Sequence, residues 1–384
     1  MKFVKTAKFL IFLIVFINFL GYGIVFPILP LLTIQYGGNP LMSGILIGIF
    51  SLMQVIFLPV LGRLSDRFGR RPLLLLSLWG TVISFILMAA TRSIFWLLIA
   101  RIIDGASGGN LSIAQAYIAD ITDKKNRAGG MGIIAAGITL GFILGPLWGG
   151  FFSRYGLSVP FLAAAVITFI SIILTQFFLK ETITGKEIAY EKSHFSLNSF
   201  FKKATNPDLV ILYFSNLLLF WAQSGVFTTL SLFGKDILNI TVAQISLLFA
   251  FGGILSALIQ GVIIGPTIKL TGEKRLFIFS TLIALFGMIL LGLSNSTVIL
   301  FAGLTVFAVG NGFLLPVIQA IVSEKSSPHQ QGGNLGFMQS FGSIGRIFGP
   351  ILAGFIYQSV NPYSPAVMGI IIFILVLILG LKLQ

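Results

Sequence analysis

Gly62-Arg63-Leu64-Ser65-Asp66-Arg67-Phe68-Gly69-Arg70-Arg71-Pro72 lies between two apolar runs. Each run is about 20 residues long, the length a helix needs to cross the hydrocarbon core of a bilayer. Five charges packed between two such runs predict a tight cytoplasmic turn joining two membrane helices.

The rest of the chain agrees with a membrane setting. Of its 384 residues, 56% are hydrophobic and 9% charged, and the mean hydropathy is +1.01. Soluble domains carry about 25% charged residues, so this chain has too few polar side chains to cover a soluble globule. Its 38 phenylalanines suit lipid-facing surfaces. With no cysteine, disulfides, thiol catalysis and cysteine-bound metals are excluded. His194 and His329 both fall in polar stretches, which argues against a histidine metal cluster. The first apolar run, Phe9 to Leu31, is too long for a signal-peptide core and is followed by no small-residue cleavage site, so it is expected to be a retained helix.

Twelve apolar segments run over approximately 9–31, 42–61, 72–91, 93–119, 129–152, 159–179, 209–233, 243–265, 275–294, 296–321, 333–358 and 363–381. In hydrocarbon the backbone must satisfy its own hydrogen bonds, which makes these segments helices. A membrane β-barrel would alternate in short segments instead. With the N-terminus inside, 20 of the 25 Lys and Arg face the cytoplasm and three, Arg92, Arg154 and Lys235, face outside; Arg101 and Arg346 lie within spans. That bias predicts both termini cytoplasmic in a multi-pass protein of the plasma membrane. It also accounts for the net charge of +14, which would suggest nucleic acid in a soluble protein but here anchors loops on anionic lipid. The polar stretch after Lys180 divides the spans six and six. The expected organisation is an all-α membrane protein with a bundle over 1–180, a cytoplasmic linker over 181–206 and a second bundle over 207–384.

The halves repeat. Shifted by 204 residues, Gln115-Ala116 falls on Gln319-Ala320, Gly129 on Gly333, Gly145-Pro146 on Gly349-Pro350 and Gly150 on Gly354. Shifted by 203, Gly62 falls on Gly265, Gly69 on Gly272 and Arg71 on Lys274. Both halves begin inside, so the repeats are parallel, related by an axis along the membrane normal.

Four segments carry a family resemblance. Gly62–Pro72 resembles the loop signature Gly-x-x-x-Asp-Arg-x-Gly-Arg-Arg of the major facilitator superfamily. Arg101-Ile102-Ile103-Asp104-Gly105 resembles its helix 4 motif, Arg-x-x-x-Gly. Gly141 through Gly150 resembles the helix 5 antiporter motif, Gly-x-x-x-Gly-Pro-x-x-Gly-Gly. Gly21 through Pro30 resembles the end of helix 1. With Ala116 through Thr122, these are most similar to twelve-helix drug:proton antiporters, the tetracycline-efflux branch in particular. The resemblance implies a substrate site near midplane between the two bundles, lined from helices 1, 4, 7 and 10. It implies that Gly62, Asp66, Arg67, Gly69, Arg70 and Arg71, with Asp120, latch the outward-facing state. It also implies that Gly137, Gly141, Gly145, Pro146, Gly149 and Gly150 seal the cavity during alternating access. Exporters of this branch often carry an acidic residue in helix 1, where this chain has Asn18. In the second half Lys269 replaces the aspartate, so a matching latch there is degenerate.

Charges at bilayer depth cost about 2.5–3.5 kcal/mol each on insertion scales. Arg101, Asp104 and Arg346 sit there. Arg101 and Asp104 are three apart on one helix, so they share a face and can pair. They form either a proton site, with Asp104 carrying the proton and Arg101 competing for it, or a static ion pair that pins helix 4. That face is expected to continue through Gly108, Leu111 and Gln115. Arg346 has no acidic residue on its helix and is a candidate for a substrate anion or a coupling role, against pairing with a backbone carbonyl. Asn18, Gln54, Asn110, Gln115, Asn216, Gln223, Asn311, Gln319 and Gln339 are candidate cavity residues, and Tyr22 and Trp221 candidate stacking partners; interhelical hydrogen bonding is the alternative for each. The glycines four apart in helix 5 also suit close helix packing alone.

No catalytic constellation, phosphate-binding loop or metal spacing occurs, so neither an enzyme nor ATP-driven transport is expected, and no cofactor is implied. The expected function is a proton-coupled exporter of small hydrophobic or amphiphilic compounds, of the kind that confers multidrug resistance, working as a monomer by a rocker-switch cycle. The alternatives are a symporter or uniporter for a sugar or organic anion, and a non-transporting membrane receptor.

Overall fold

The computed structural model describes residues 2–123, 126–183, 206–327 and 330–383. Most of the expected linker, Lys124, Lys125, His194 and His329 lie outside the described residues. Among the described residues there is no strand. The helices are α1 (Lys2–Gln35), α2 (Pro40–Phe68), α3 (Arg70–Ala90), α4 (Ile94–Ser107), α5 (Asn110–Asp120), α6 (Arg127–Phe152), α7 (Val159–Phe178), α8 (Pro207–Asp236), α9 (Val242–Leu258), α10 (Ile264–Thr271), α11 (Glu273–Gly292), α12 (Thr297–Glu324), α13 (Gln331–Ser359) and α14 (Ser364–Leu381). A π-turn, Ile259–Ile263, joins α9 to α10 into one span.

All twelve predicted spans are helical, with two differences of detail. The charged segment Gly62–Pro72 is hardly a loop: α2 runs on through Phe68 and α3 begins at Arg70. Gly69 alone turns the chain, at φ 100° and ψ 151°, a conformation open essentially to glycine only. The fourth span is not one helix, for it breaks at Gly108 and Gly109 between α4 and α5. The α6 helix, in contrast, passes unbroken through Pro146. Ten described helices are long and apolar enough to cross a membrane on their own. The two remaining spans are the broken α4–α5 and α13, where Gln, Ser, Gly and Arg346 dilute the apolar run.

Several helix starts follow from local chemistry. Asn39 caps α2 by accepting from Met42 N at 2.9 Å, with Pro40 in the first helical position. Asn206 and Pro207 repeat the device at α8, where Asn206 accepts from Asp208 N at 3.0 Å. Asparagine supplies the missing acceptor, and proline has no N–H to leave unpaired.

Contacts divide the chain into two units. Unit one is Met1–Ile188 with Thr241–Ala250, and unit two is Ala189–Ile240 with Phe251–Gln384. Each has the same spine. In unit one, Gly137, Gly141 and Gly145 of α6 lie directly on α1, facing the carbonyls of Phe12, Phe16 and Leu20. In unit two, Gly345 and Gly349 of α13 face the carbonyls of Leu217 and Trp221 of α8. A Cβ at these positions would collide with backbone, which cannot yield. Lipid tails are as apolar as side chains, so helices here associate through van der Waals contact and close backbone approach, which small residues permit. Around the spine of unit one, Leu10, Ile14, Leu74, Leu78, Ile113 and Tyr117 form a buried core.

Candidate functional site

The deepest charges are in unit one, where α4 leans on α2. Gly105 makes this possible, since a Cβ there would strike the Phe50 carbonyl. Arg101 is 1% exposed and Asp104 6%. Arg101 Nη1 donates to Asp104 Oδ2 at 2.8 Å, and Nε donates to the Leu46 carbonyl at 3.1 Å. The guanidinium also lies 4.2 Å from the Phe50 ring centroid. Its third nitrogen, Nη2, is buried with no hydrogen-bond partner. The Phe50 ring in turn packs on Tyr22, at 5.4 Å between centroids, and Tyr22 meets Phe26 and Phe142 at 5.2 and 5.3 Å. Tyr22 is therefore part of an aromatic collar around the charged pair, a relation the sequence spacing does not reveal.

The break in the fourth span moves the residues beyond it. Gln115, expected to extend the Asp104 face, is exposed on α5. Asn110 is 1% exposed instead, and both its side-chain oxygen and nitrogen are buried without a partner. Gly108 and Gly109 cause the shift by interrupting the helical register. Gln54 of α2 flanks Gly108.

At the end of unit one where α2 meets α3, a second charged network closes. Arg70 is its hub. Nη1 contacts Asp66 Oδ1 at 2.5 Å and donates to Ser65 Oγ at 2.7 Å, while Nε donates to Asp120 Oδ2 at 3.2 Å. Two members were not foreseen. Glu181, just beyond α7, accepts from the backbone N–H of Arg70 at 2.9 Å and of Arg71 at 3.0 Å, capping α3. Thr182 Oγ1 donates to Asp120 Oδ2 at 2.9 Å. Burial pushes the Glu181 carboxyl up, but backbone N–H groups of Ile183, Arg70, Thr182 and Arg71 outweigh it and hold the group below the ordinary carboxylate range. Gly69 passes so close that a Cβ would overlap this carboxylate. Arg71 donates to the Gln176 carbonyl, Arg67 is exposed beside the Phe68 ring, and Gly62 lies next to Ser112.

The remaining candidates scatter. Asn18 is half-buried on α1. Asn216 is fully buried and donates to the Met338 carbonyl at 2.7 Å, so it makes an interhelical bond within unit two. Trp221 stacks on Phe348 at 6.4 Å, and its Nε1 is buried with no partner. Gln223, Asn311 and Gln319 are half-buried and Gln339 is exposed. Arg346 is half-buried, 4.4 Å from the Phe220 ring centroid, and donates to Ser343 Oγ at 2.9 Å. Of the helix 5 motif, Gly149 lies on Ile28 of α1, and Gly150 lies against Ser246, in the stretch that clusters with unit one. Among the described residues no group of His, Cys, Asp and Glu could hold a metal.

Comparison with known proteins identifies the family. The family model of the Major Facilitator Superfamily matches residues 11–266 and 212–383. Tetracycline resistance protein, class C, from Escherichia coli is 34% identical over 343 residues, 88% of this chain and 86% of that protein. Multidrug resistance protein 2 from Bacillus subtilis (strain 168) is 29% identical over 385 residues, 99% of this chain and 95% of that protein. In fold, the chain is similar to a crystal structure of a bacterial homologue of the human lysosomal transporter Spinster, with a TM-score of 0.82 at 15% identity over 99% of this chain and 97% of the other. The chain belongs to the major facilitator superfamily, in its drug-efflux branch. It is a multi-pass membrane transporter of small molecules and not an enzyme.

Proposed function

We propose that this transporter is a proton-coupled exporter of small hydrophobic or amphiphilic compounds, acting as a monomer in the plasma membrane with both termini in the cytoplasm. The two six-helix bundles, 1–180 and 207–384, alternate in a rocker-switch cycle, joined by the linker between them. The observation that carries this reading is the Arg101–Asp104 pair. A buried charge pair is a costly way to hold two helices together, because desolvation offsets much of the Coulombic gain. Charges kept at that depth serve pathways more often than stability. Asp104 takes the proton. When it does, Arg101 loses its counter-ion, and the pair, the Leu46 carbonyl and the Phe50 ring rearrange together. Arg101 Nη2 has no partner in the pair and is the atom best placed to take a polar group of the substrate. Tyr22, beside Phe50, stacks on an aromatic one.

Asn18, Gln115, Trp221, Gln223, Asn311, Gln319, Gln339 and Arg346 complete the substrate path in this reading. Asn216 contributes only through its free carboxamide oxygen. The network around Arg70 is the latch, and the α6 glycines keep α1 and α6 in register as the latch opens.

The test is transport by purified protein in liposomes with an imposed pH gradient. Asp104→Asn is expected to abolish gradient-driven export while eluting as the parent does in size exclusion, and Asp104→Glu to restore a fraction of it. Parent-like gradient-driven flux in Asp104→Asn would remove the proton assignment. Gradient-independent uptake of organic anions by the parent would favour a uniporter.

A further inference from the structure

The seam between α1 and α6 leaves a groove on its flank. The glycines of α6 press one face of that helix onto α1, which turns Leu144, Trp148 and Phe151 onto the next face. These three are four and three residues apart, so they line up along the helix. The α7 helix does not cover them, because it packs mainly on α3. A cavity of about 650 Å³ is left between α1, α6 and α7, within the roughly 300–1,000 Å³ typical of small-molecule sites. Ile17 and Leu20 of α1, each buried, form its floor, and Leu144, Phe151 and Ile170 at its edge are exposed. The groove therefore opens sideways, toward the bilayer.

Its lining says what fits. Every side chain in it is apolar. The one polar atom, Trp148 Nε1, already donates to the Pro160 carbonyl at 3.4 Å. A polar solute needs a few polar groups inside its site to orient it, and a buried water needs at least two. An alkyl chain needs neither. Directly beyond Phe151 and Phe152 the chain makes a single 3-10 turn, Ser153–Tyr155. Arg154 and Tyr155 are exposed there, and Arg154 has no ion-pair partner among the described residues. Trp and Tyr side chains favour the headgroup level of a membrane. A guanidinium without a counter-ion thus stands at headgroup depth, next to the mouth of an alkyl groove.

We propose that this groove holds one acyl chain of an anionic phospholipid whose phosphate is bound by Arg154. The acyl chain covers Ile17 and Leu20 and lies along the Trp148 ring, and the headgroup stays in the interface. Charge selects the class of lipid, and the groove fixes its place. The bound lipid fills the gap that α7 leaves beside the α1–α6 pair.

Trp148 reports on its own groove. The chain has four tryptophans, and Trp79→Phe, Trp96→Phe and Trp221→Phe together leave Trp148 as the only fluorophore of its kind. The full chain is placed in vesicles of equal phosphatidylcholine and phosphatidylglycerol. Bromine, a contact quencher, is carried on the chains of one lipid or of the other, so the surface charge is the same in both. Quenching is expected to favour the phosphatidylglycerol about fivefold, the order for one arginine at an anionic lipid surface. Arg154→Gln should bring the ratio near one, and Arg154→Lys should keep most of it. Ile167→Phe, which fills the groove, should lower quenching by both lipids. A ratio of one in the parent overturns the proposal, as does a ratio unchanged in Arg154→Gln or quenching unchanged in Ile167→Phe. Should the single-tryptophan form fail to fold, the protein with all its tryptophans is released from nanodiscs of the same lipids into a mass spectrometer. One phosphatidylglycerol retained per chain, and lost in Arg154→Gln, supports the site. Retained phosphatidylcholine, a second copy of the chain, or no adduct overturns it. Neither readout uses a pH gradient, so the lipid site and the Asp104 assignment are tested separately.

Discussion

The two units solve the same turn with opposite charges. After α2, Arg70 gathers Asp66, Asp120 and, through its backbone, Glu181. After α10, Lys269, Glu273 and Glu324 occupy the corresponding positions, and among the described residues neither glutamate has an ion-pair partner. The backbone device, a glycine at positive φ between two abutting helices, is retained in both. Turn geometry and turn electrostatics are therefore separable, and only the first is required to connect two spans.

Deep in the membrane the same contrast gives the largest expected effect. Unit one pairs Arg101 with Asp104, while unit two rests Arg346 on a ring. Asp104→Asn is expected to eliminate uphill export, whereas Arg346→Gln leaves export coupled to the pH gradient and raises the substrate KM. Loss of coupling in both would erase the distinction.

Next comes the hub. Arg70→Ala removes a mostly buried guanidinium that bonds Ser65, Asp66 and Asp120 at once, and is expected to cost about 3 kcal/mol, the order of a few charge-assisted hydrogen bonds lost together when the carboxylates themselves stay partly solvated. Glu273→Ala in unit two breaks no ion pair and should leave thermal stability nearly unchanged. A fall in Tm of similar size for both variants would mean that Glu273 holds its turn as firmly as Arg70 does.

Smaller still is the turn itself. Gly69→Ala meets both an unfavourable φ and the Glu181 carboxylate, for about 2 kcal/mol, against about 1 kcal/mol for Gly272→Ala, where a Cβ meets open space. Equal losses would show that Glu181 yields.

The smallest effect is read by acid. The Glu181 carboxyl is held below its ordinary value, so its contribution is present above its unfolded pKa of about 4.3 and is lost as pH falls through its folded value. The Tm difference between parent and Glu181→Gln should therefore shrink below about pH 4 and be flat above it. A difference that persists unchanged in acid would assign the effect to shape alone.

What the sequence made legible follows from how local each signal is. The spans are long apolar runs, and hydrocarbon leaves no alternative to helix. Arg101 and Asp104 are three apart on one helix, so their pairing needed no tertiary knowledge. Asp66, Arg70 and Asp120 were reachable through the family motif. Glu181 was not, because it bonds Arg70 from 111 residues away and looks like an ordinary linker charge. The break at Gly108 was hidden for a different reason: glycines in membrane helices usually mark close packing, as they do in α6, and nothing local tells the two uses apart.

The glycine spines have a mechanical side. A helix pair seated largely backbone on backbone has few side-chain rotamers along its glycine seam to rearrange, so it has little slack to absorb a shear. Within each unit, α1 with α6 and α8 with α13 must travel as one beam. Strain in the cycle is then taken up where the helices are already interrupted, at the Gly108–Gly109 joint in unit one and at the Ile259–Ile263 π-turn in unit two. A beam and a joint in each unit are the parts of a lever, and stiffening either joint should slow the stroke without changing what is gripped.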